Sequence, residues 1–193
     1  MNGAEKRRGE MEMKMRPRQT GFTLIELLVV ILVMAILAAL LFQGIRAAME
    51  MAKKTKAKTE VKGIAMALES YYNEYRVWPP AVLTTVADPE LNPVLISGGV
   101  AGMLQGDSAS IAYNKKSIAF MSFERFAGTN QPVNPWYQSG PFSTNNCYYY
   151  KVDKDFDNII AVGATPPPTA ALKRRVLVWT RNPNNGTFVT SAD

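Results

Sequence analysis

This chain holds very few residues that could run a catalytic reaction. It has no histidine and a single cysteine, Cys147. Ser-His-Asp and Cys-His nucleophiles are therefore excluded, as is any histidine-ligated metal. One cysteine also rules out an intrachain disulfide. With no histidine to activate it, Cys147 reads as a small buried hydrophobe. Two sets of carboxylates stand out instead. Glu26 is the only ionisable residue in the apolar run Phe22 to Phe42, FTLIELLVVILVMAILAALLF. Asp153, Asp155 and Asp157 alternate along one polar segment, Asp153-Lys-Asp-Phe-Asp-Asn158.

A carboxylate inside an apolar span costs roughly 2.5–3.5 kcal/mol to insert, so Glu26 calls for a partner or for water at the headgroups. A cut between Gly21 and Phe22 would supply the partner. It would leave a positive amine on Phe22, about one helical turn from Glu26 and on the same face. The two charges can pair within one chain or between neighbours. In the second case the pair favours correct stagger over raw stability. The three aspartates read differently. Alternating carboxylates in a turn can converge oxygens on Ca²⁺, and their spacing resembles the first half of an EF-hand loop. The glycine and distal glutamate of such a loop are missing, and a solvated turn is the alternative reading. Trp78, Trp136, Trp179 and Tyr148 to Tyr150 suit either a sugar- or base-stacking platform or, more simply, packing in a core.

The elements that position these groups follow from patterning. The run Phe22–Phe42 is close to the ~20 residues that span a bilayer and too long for the core of an ordinary secretory signal. Before it, residues 1–21 carry six basic and three acidic residues. Taking these from the 22 basic and 16 acidic residues of the whole chain leaves a net charge of +3, against +6 before. A mildly basic remainder argues against a nucleic-acid binder. Arg46, Lys53, Lys54, Lys56, Lys58 and Lys62 follow the span, so the positive-inside rule comes out nearly even. From Gln43 to Tyr75 there is no proline, and Ile45, Met49, Ala52, Val61, Ile64, Ala65, Leu68, Tyr71, Tyr72 and Tyr75 recur at helical spacing. The helix should stop before Trp78-Pro79-Pro80. The lysines on its other face read as a solvated surface near anionic headgroups.

Beyond Pro80 the composition turns to Pro, Gly, Asn and Ser. Leu91 to Gly106 reads as a loop with a short helical or extended piece. Ser117–Glu124 is ambiguous between strand and short helix. Cys147–Val152, Asn158–Val162 and Arg175–Trp179 read as strands. Pro166 to Pro168 form a stiff connection between the last two. The expected fold class is α+β: a long N-terminal helix, transmembrane in its first half and amphipathic in its second, packed on a small antiparallel β-sheet. The expected segments are a leader (1–21), a membrane helix (22–42), its amphipathic continuation (43–76) and a globular part (77–193).

Arg18-Gln-Thr-Gly21 followed by Phe22-Thr-Leu-Ile-Glu26-Leu-Leu-Val-Val resembles the class III signal of type IV pilins and pseudopilins. The order of later features is most similar to the major pseudopilin of type II secretion. Tyr71–Pro79 ends the helix in that manner. Asn134-Pro-Trp136 resembles that family's Asp-Pro-Trp-Gly turn, with Tyr137 for glycine, and Val178–Gly186 its closing loop. The resemblance implies cleavage after Gly21 by a prepilin peptidase, methylation of Phe22, and Glu26 as the assembly glutamate. It implies a non-enzymatic subunit, anchored in the bacterial inner membrane with its leader cytoplasmic and its domain periplasmic. The partners would be further copies of the chain, other pseudopilins and an inner-membrane assembly platform, with no role for nucleic acid. It also implies Ca²⁺ at this end of the domain, through Asp153, Asp155 and Asp157, although Asn184 and Asn185 replace acidic residues of the closing loop. Family members often have proline where this chain has Gln43, so any loosening of the helix would rest on Gly44. The other readings are a type IV or competence pilin and, from another class, a membrane-anchored periplasmic binding module.

Overall fold

The computed structural model describes residues 21–79, 93–128, 130–140, 143–160 and 172–192. The chain divides into two units, Met1–Ile45 and Arg46–Asp193. One helix, α1 (Leu24–Tyr75), contributes to both. It runs unbroken through Gln43 and Gly44.

In the first unit α1 is apolar on every side. Leu28, Ile31 and Leu37 are each more than half exposed, and no side chain from 21 to 42 is buried. The helix is long and apolar enough to cross a membrane. Apolar area left in water costs about 25 cal/mol per Å², so this surface requires lipid or other protein around it.

In the second unit one stripe of α1 enters a core. Ala57, Val61, Ile64, Ala65, Leu68 and Tyr71 are buried. Their spacing of three and four residues keeps them on one face. The buried stripe begins later than periodicity suggests. Ile45 and Met49 are 44% and 56% exposed, and Ala52 is exposed as well. The first turns after the span share the hydrophobic spacing without a sheet to cover them. The helix stops at Tyr75 as its Pro-rich sequel demands. Arg76 takes a left-handed φ of 59° and donates its N–H to Tyr72 O at 2.7 Å.

Against this stripe lies a four-stranded antiparallel sheet in the order β1-β4-β5-β6, formed by β1 (Val94–Leu95), β4 (Tyr148–Val152), β5 (Val176–Arg181) and β6 (Phe188–Thr190). Tyr150 pairs with Val178 and Tyr149 with Trp179. Tyr148, Tyr150, Val152, Val176 and Val178 face the helix, while Leu177 and Trp179 join Ile160 in a second, smaller cluster. A two-stranded ribbon pairs β2 (Phe126–Ala127) with β3 (Gln131–Pro132). The α+β class, with a long helix on a small antiparallel sheet, is thus the observed architecture.

Several details differ from the patterning. Leu91–Gly106 supplies both alternatives: β1 and a helix, α2 (Gly98–Gln105). Ser97 caps α2 by accepting from Val100 N–H at 3.3 Å, and Gly106 closes it at φ 73°. A Cβ at Gly106 would come within 2.7 Å of Ser117 O, so glycine is required there twice over. Ser117–Glu124 is neither strand nor helix. It is an irregular strap whose Phe120 and Met121 N–H groups both donate to Leu104 O, at 2.9 and 3.2 Å. Asn114 fixes its start by donating to Met103 O and Ile118 O. Of Asn158–Val162 only Ile160 pairs, in an isolated bridge to Leu172; residues 161–162 and Pro166–Pro168 lie outside the described residues. Strand β6 was not anticipated, because three residues are too few for alternation to register.

Candidate functional site

The N-terminal end of α1 is organised around Glu26. Thr23 precedes the first helical residue, and its Oγ1 accepts the Glu26 N–H at 3.3 Å. Glu26 answers with Oε2, which accepts the Thr23 N–H at 3.1 Å and the Thr23 hydroxyl at 3.0 Å. This is a reciprocal capping box, and Thr23-Leu-Ile-Glu26 is its sequence signature. Those four residues make the box legible in the sequence alone. Phe22 is 86% exposed beside it, and a Cβ added at Gly21 would meet open space. The 1–20 part of the expected leader lies outside the described residues.

A second constellation was not anticipated. Glu50 is the meeting point of three segments distant in sequence. Its Oε1 accepts Trp136 Nε1–H at 2.8 Å and Asn182 Nδ2–H at 2.6 Å, and its Oε2 accepts Asn184 Nδ2–H at 3.3 Å. Burial is the largest influence on its carboxyl and pushes it up. The three hydrogen bonds and nearby Lys53 together outweigh it and hold the group below its ordinary value. The Asn134-Pro-Trp136 turn and the closing loop are therefore one assembly. Asn134, fully buried, reinforces it by donating to Thr180 Oγ1 at 2.9 Å and Arg181 O at 3.0 Å.

Ten residues further along α1, Glu60 accepts the buried Tyr148 hydroxyl and lies 3.7 Å from Arg125. Burial raises its carboxyl above the ordinary value, with Tyr148 and Arg125 opposing the shift. Lys56 pairs with Glu124 at 2.6 Å, and this ion pair ties the strap to the helix.

The acidic segment closes a tight loop after β4. Asp153 is fully buried, while Asp155 and Asp157 are exposed. Asp153 Oδ1 accepts Phe156 N–H at 2.7 Å and Oδ2 accepts Asn158 N–H at 2.9 Å. Those bonds hold Phe156 and Asn158 at left-handed φ values of 65° and 63°. Trp78 Nε1 donates to Asp153 O at 2.8 Å and fastens the loop to the end of α1. One ligand oxygen from each aspartate lies within 4.8 Å of the others. Each carboxylate keeps spare lone pairs, so the set fits part of a calcium shell of 6–8 oxygens.

No catalytic arrangement accompanies these groups among the described residues. Cys147 is fully buried, and burial pushes its thiol up to about 12, which removes the nucleophilic thiolate. Trp136 and Trp179 are 6% and 2% exposed, and Tyr148 and Tyr150 are buried. These aromatics pack the core and do not form an open platform.

The family described as "Prokaryotic N-terminal methylation motif" matches residues 16–42. The type II secretion system core protein G of Pseudomonas aeruginosa is 42% identical over 64 residues, 33% of this chain and 45% of that protein. The core protein G of Aeromonas hydrophila is 29% identical over 133 residues, 62% of this chain and 93% of that protein. The type IV major pilin PilA of Myxococcus xanthus is 36% identical over 61 residues, 32% of this chain and 28% of that protein. The chain thus spans about half the length of the Pseudomonas relative. No solved structure gives a significant match. These relatives carry the names of secretion and pilus components, not of enzymes, and the motif and apolar helix together point to membrane anchoring.

Proposed function

We propose that the chain is a member of the type IV pilin and pseudopilin family and serves as a structural subunit of a type II secretion pseudopilus, a reading supported by its N-terminal methylation motif and its similarity to core protein G of two bacteria. The observation that carries this reading is the apolar surface of α1 from Leu24 to Phe42, exposed all round although the same helix is packed from Ala57 onward. Such a surface is stable in lipid before assembly and among other copies of itself afterwards. A prepilin peptidase would cut after Gly21 and methylate Phe22. The new amine would pair with Glu26 of its own or a neighbouring chain and set the stagger of subunits. The mature chain, comprising a membrane helix over 22–42, its continuation over 43–76 and a globular part over 77–193, would wait in the inner membrane with its domain in the periplasm. An assembly platform would then draw it into the filament.

Gly21→Val tests this reading. The uncut chain should accumulate in the membrane fraction, with no filaments in electron micrographs and no export of secreted protein. Filaments and export at wild-type levels would contradict it. The pilin of Myxococcus xanthus favours a second reading, a surface pilus subunit. Gold-labelled filaments on intact cells would select that reading.

Asp153, Asp155 and Asp157 would together hold Ca²⁺, with backbone carbonyls and water completing the shell. The ion would supply only charge compensation and loop order. Millimolar Ca²⁺ should raise the melting temperature of the detergent-solubilised chain by a few degrees, about 1 kcal/mol by mass action. Asp155→Asn with Asp157→Asn should abolish the rise. An unchanged melting temperature in wild type would dispose of the ion.

A further inference from the structure

A groove of ≈ 510 Å³ runs beside α1 where β5 begins and β6 ends. It lies on the second unit alone. Lys62, Arg174 and Arg175 line it with one carboxylate, Glu69. None of the three cations makes an ion pair among the described residues. Both guanidinium groups are held in place by neutral partners. Arg174 donates to Ser191 O and Ala192 O, each at 3.4 Å. Arg175 lies 4.6 Å over the Tyr72 ring. An arginine has five N–H donors, so the two carbonyl bonds leave Arg174 with donors to spare. Stacking on a ring face leaves the in-plane donors of Arg175 open. Apart from Ser191, the remaining wall is apolar, made by Ala65, Met66, Val176 and Ala192.

Three cations around one concave surface raise the local positive potential, which favours occupation by an anion. Two preset guanidinium groups suit a tetrahedral oxyanion better than lysines alone would. The volume exceeds that of bare phosphate and falls within the ordinary range of ligand pockets. The apolar wall would be idle against a purely polar ion. We infer that this groove is a binding site for a phosphate group carrying an apolar substituent. Lys62, Arg174 and Arg175 hold the phosphate, and Ala65, Met66 and Val176 cover the substituent. The phosphate chemistry is shared by free phosphate and by lipid headgroups, and the substituent distinguishes them. The inference does not depend on the filament role, since it concerns the subunit by itself.

The test uses the full chain in a non-ionic detergent, followed by its melting temperature. Inorganic phosphate, glycerol 1-phosphate and dihexanoylphosphatidylglycerol are each titrated against sodium chloride at matched ionic strength. All three should raise the melting temperature above the chloride control, with the lipid acting at the lowest concentration. Arg175→Gln and Lys62→Gln should each weaken the response about tenfold, the scale of one charge-assisted contact. Lys54→Gln removes the same charge outside the groove and should leave the response unchanged. If Arg175→Gln does not fold, Lys62→Gln carries the same comparison from the helix. No response to any of the three compounds would overturn the site. So would equal weakening by Lys54→Gln, because the attraction would then be diffuse. Half-saturation by phosphate at the same concentration as the lipid would overturn the role of the apolar wall.

Discussion

Glu50→Ala is expected to destabilise the globular unit by about 2–4 kcal/mol, read from the urea midpoint of the detergent-solubilised chain. The figure comes from the donors it strands. Trp136 and Asn182 are 6% and 2% exposed, and both donate to the same oxygen, Oε1. A buried donor left without its acceptor costs about 1–3 kcal/mol. Glu50→Gln should cost far less, because its amide oxygen can still accept from both. The variant gives up the charge and the longer bond from Asn184. A difference between the alanine variant and wild type of under about 0.5 kcal/mol, the scale of an ordinary surface substitution, would show that the junction carries no stability.

The same carboxylate makes a prediction in pH. Its folded value lies below the ordinary one. Its contribution is therefore complete above the ordinary carboxylate range and is lost as pH falls through the lowered folded value. Glu60 has the opposite sign. Burial raises its folded value, so its charge costs stability at neutral pH and that cost is relieved as pH falls through the raised value. Because Glu50→Gln removes only the first of these, its stability should converge on that of wild type as the solution is acidified. A gap that stays constant from neutral pH to pH 3 would mean that Glu50 is not the titrating group.

At the other end of the chain, Glu26→Ala is expected to abolish filament assembly while leaving the melting temperature of the globular unit unchanged. Two physical roles are superimposed on this residue. The proposed one is a charge paired with the Phe22 amine; the observed one is half of a capping box with Thr23. Glu26→Gln separates them, since glutamine also serves a capping box but carries no charge. If charge sets the stagger, the glutamine variant fails to assemble as completely as the alanine variant, as scored by filament counts and export. Recovery of filaments with glutamine would assign the residue to the helix start and refute the pairing. Loss of a cap at an exposed helix end costs only about 0.5–2 kcal/mol. That is too little to account for complete failure of a helix of 52 residues.

The features that could be read in the sequence are those that repeat or end locally. The apolar run needs no fold to be recognised, because its length and composition can be read directly and match what crossing a bilayer requires. Tyr71-Tyr-Asn-Glu-Tyr-Arg-Val-Trp-Pro79 shows where α1 must stop, because proline bars the helix before it. Strands β4 and β5 show in their β-branched and aromatic content. Even the capping box at Thr23 lies within four residues and was open to inspection.

What the sequence did not disclose spans large separations. In the sequence Glu50 is one charged residue among the many of the 43–75 segment. Only folding brings Trp136 and Asn182 to it across 86 and 132 residues. Ile45, Met49 and Ala52 carry the same spacing as Val61 and Leu68, yet only the latter two meet the sheet. Periodicity states which face of a helix is apolar, not how far along it a partner extends. Asp153 offered itself as one of three alike carboxylates, and the structure sets it apart as the buried acceptor that holds Phe156 and Asn158 left-handed. The sequence by itself therefore determined the long apolar helix, the class of fold and the sites where α1 starts and stops, all products of local composition. Tertiary structure alone decided the sheet order, the Glu50 junction and the cationic groove, because each depends on which distant segments come to share one surface.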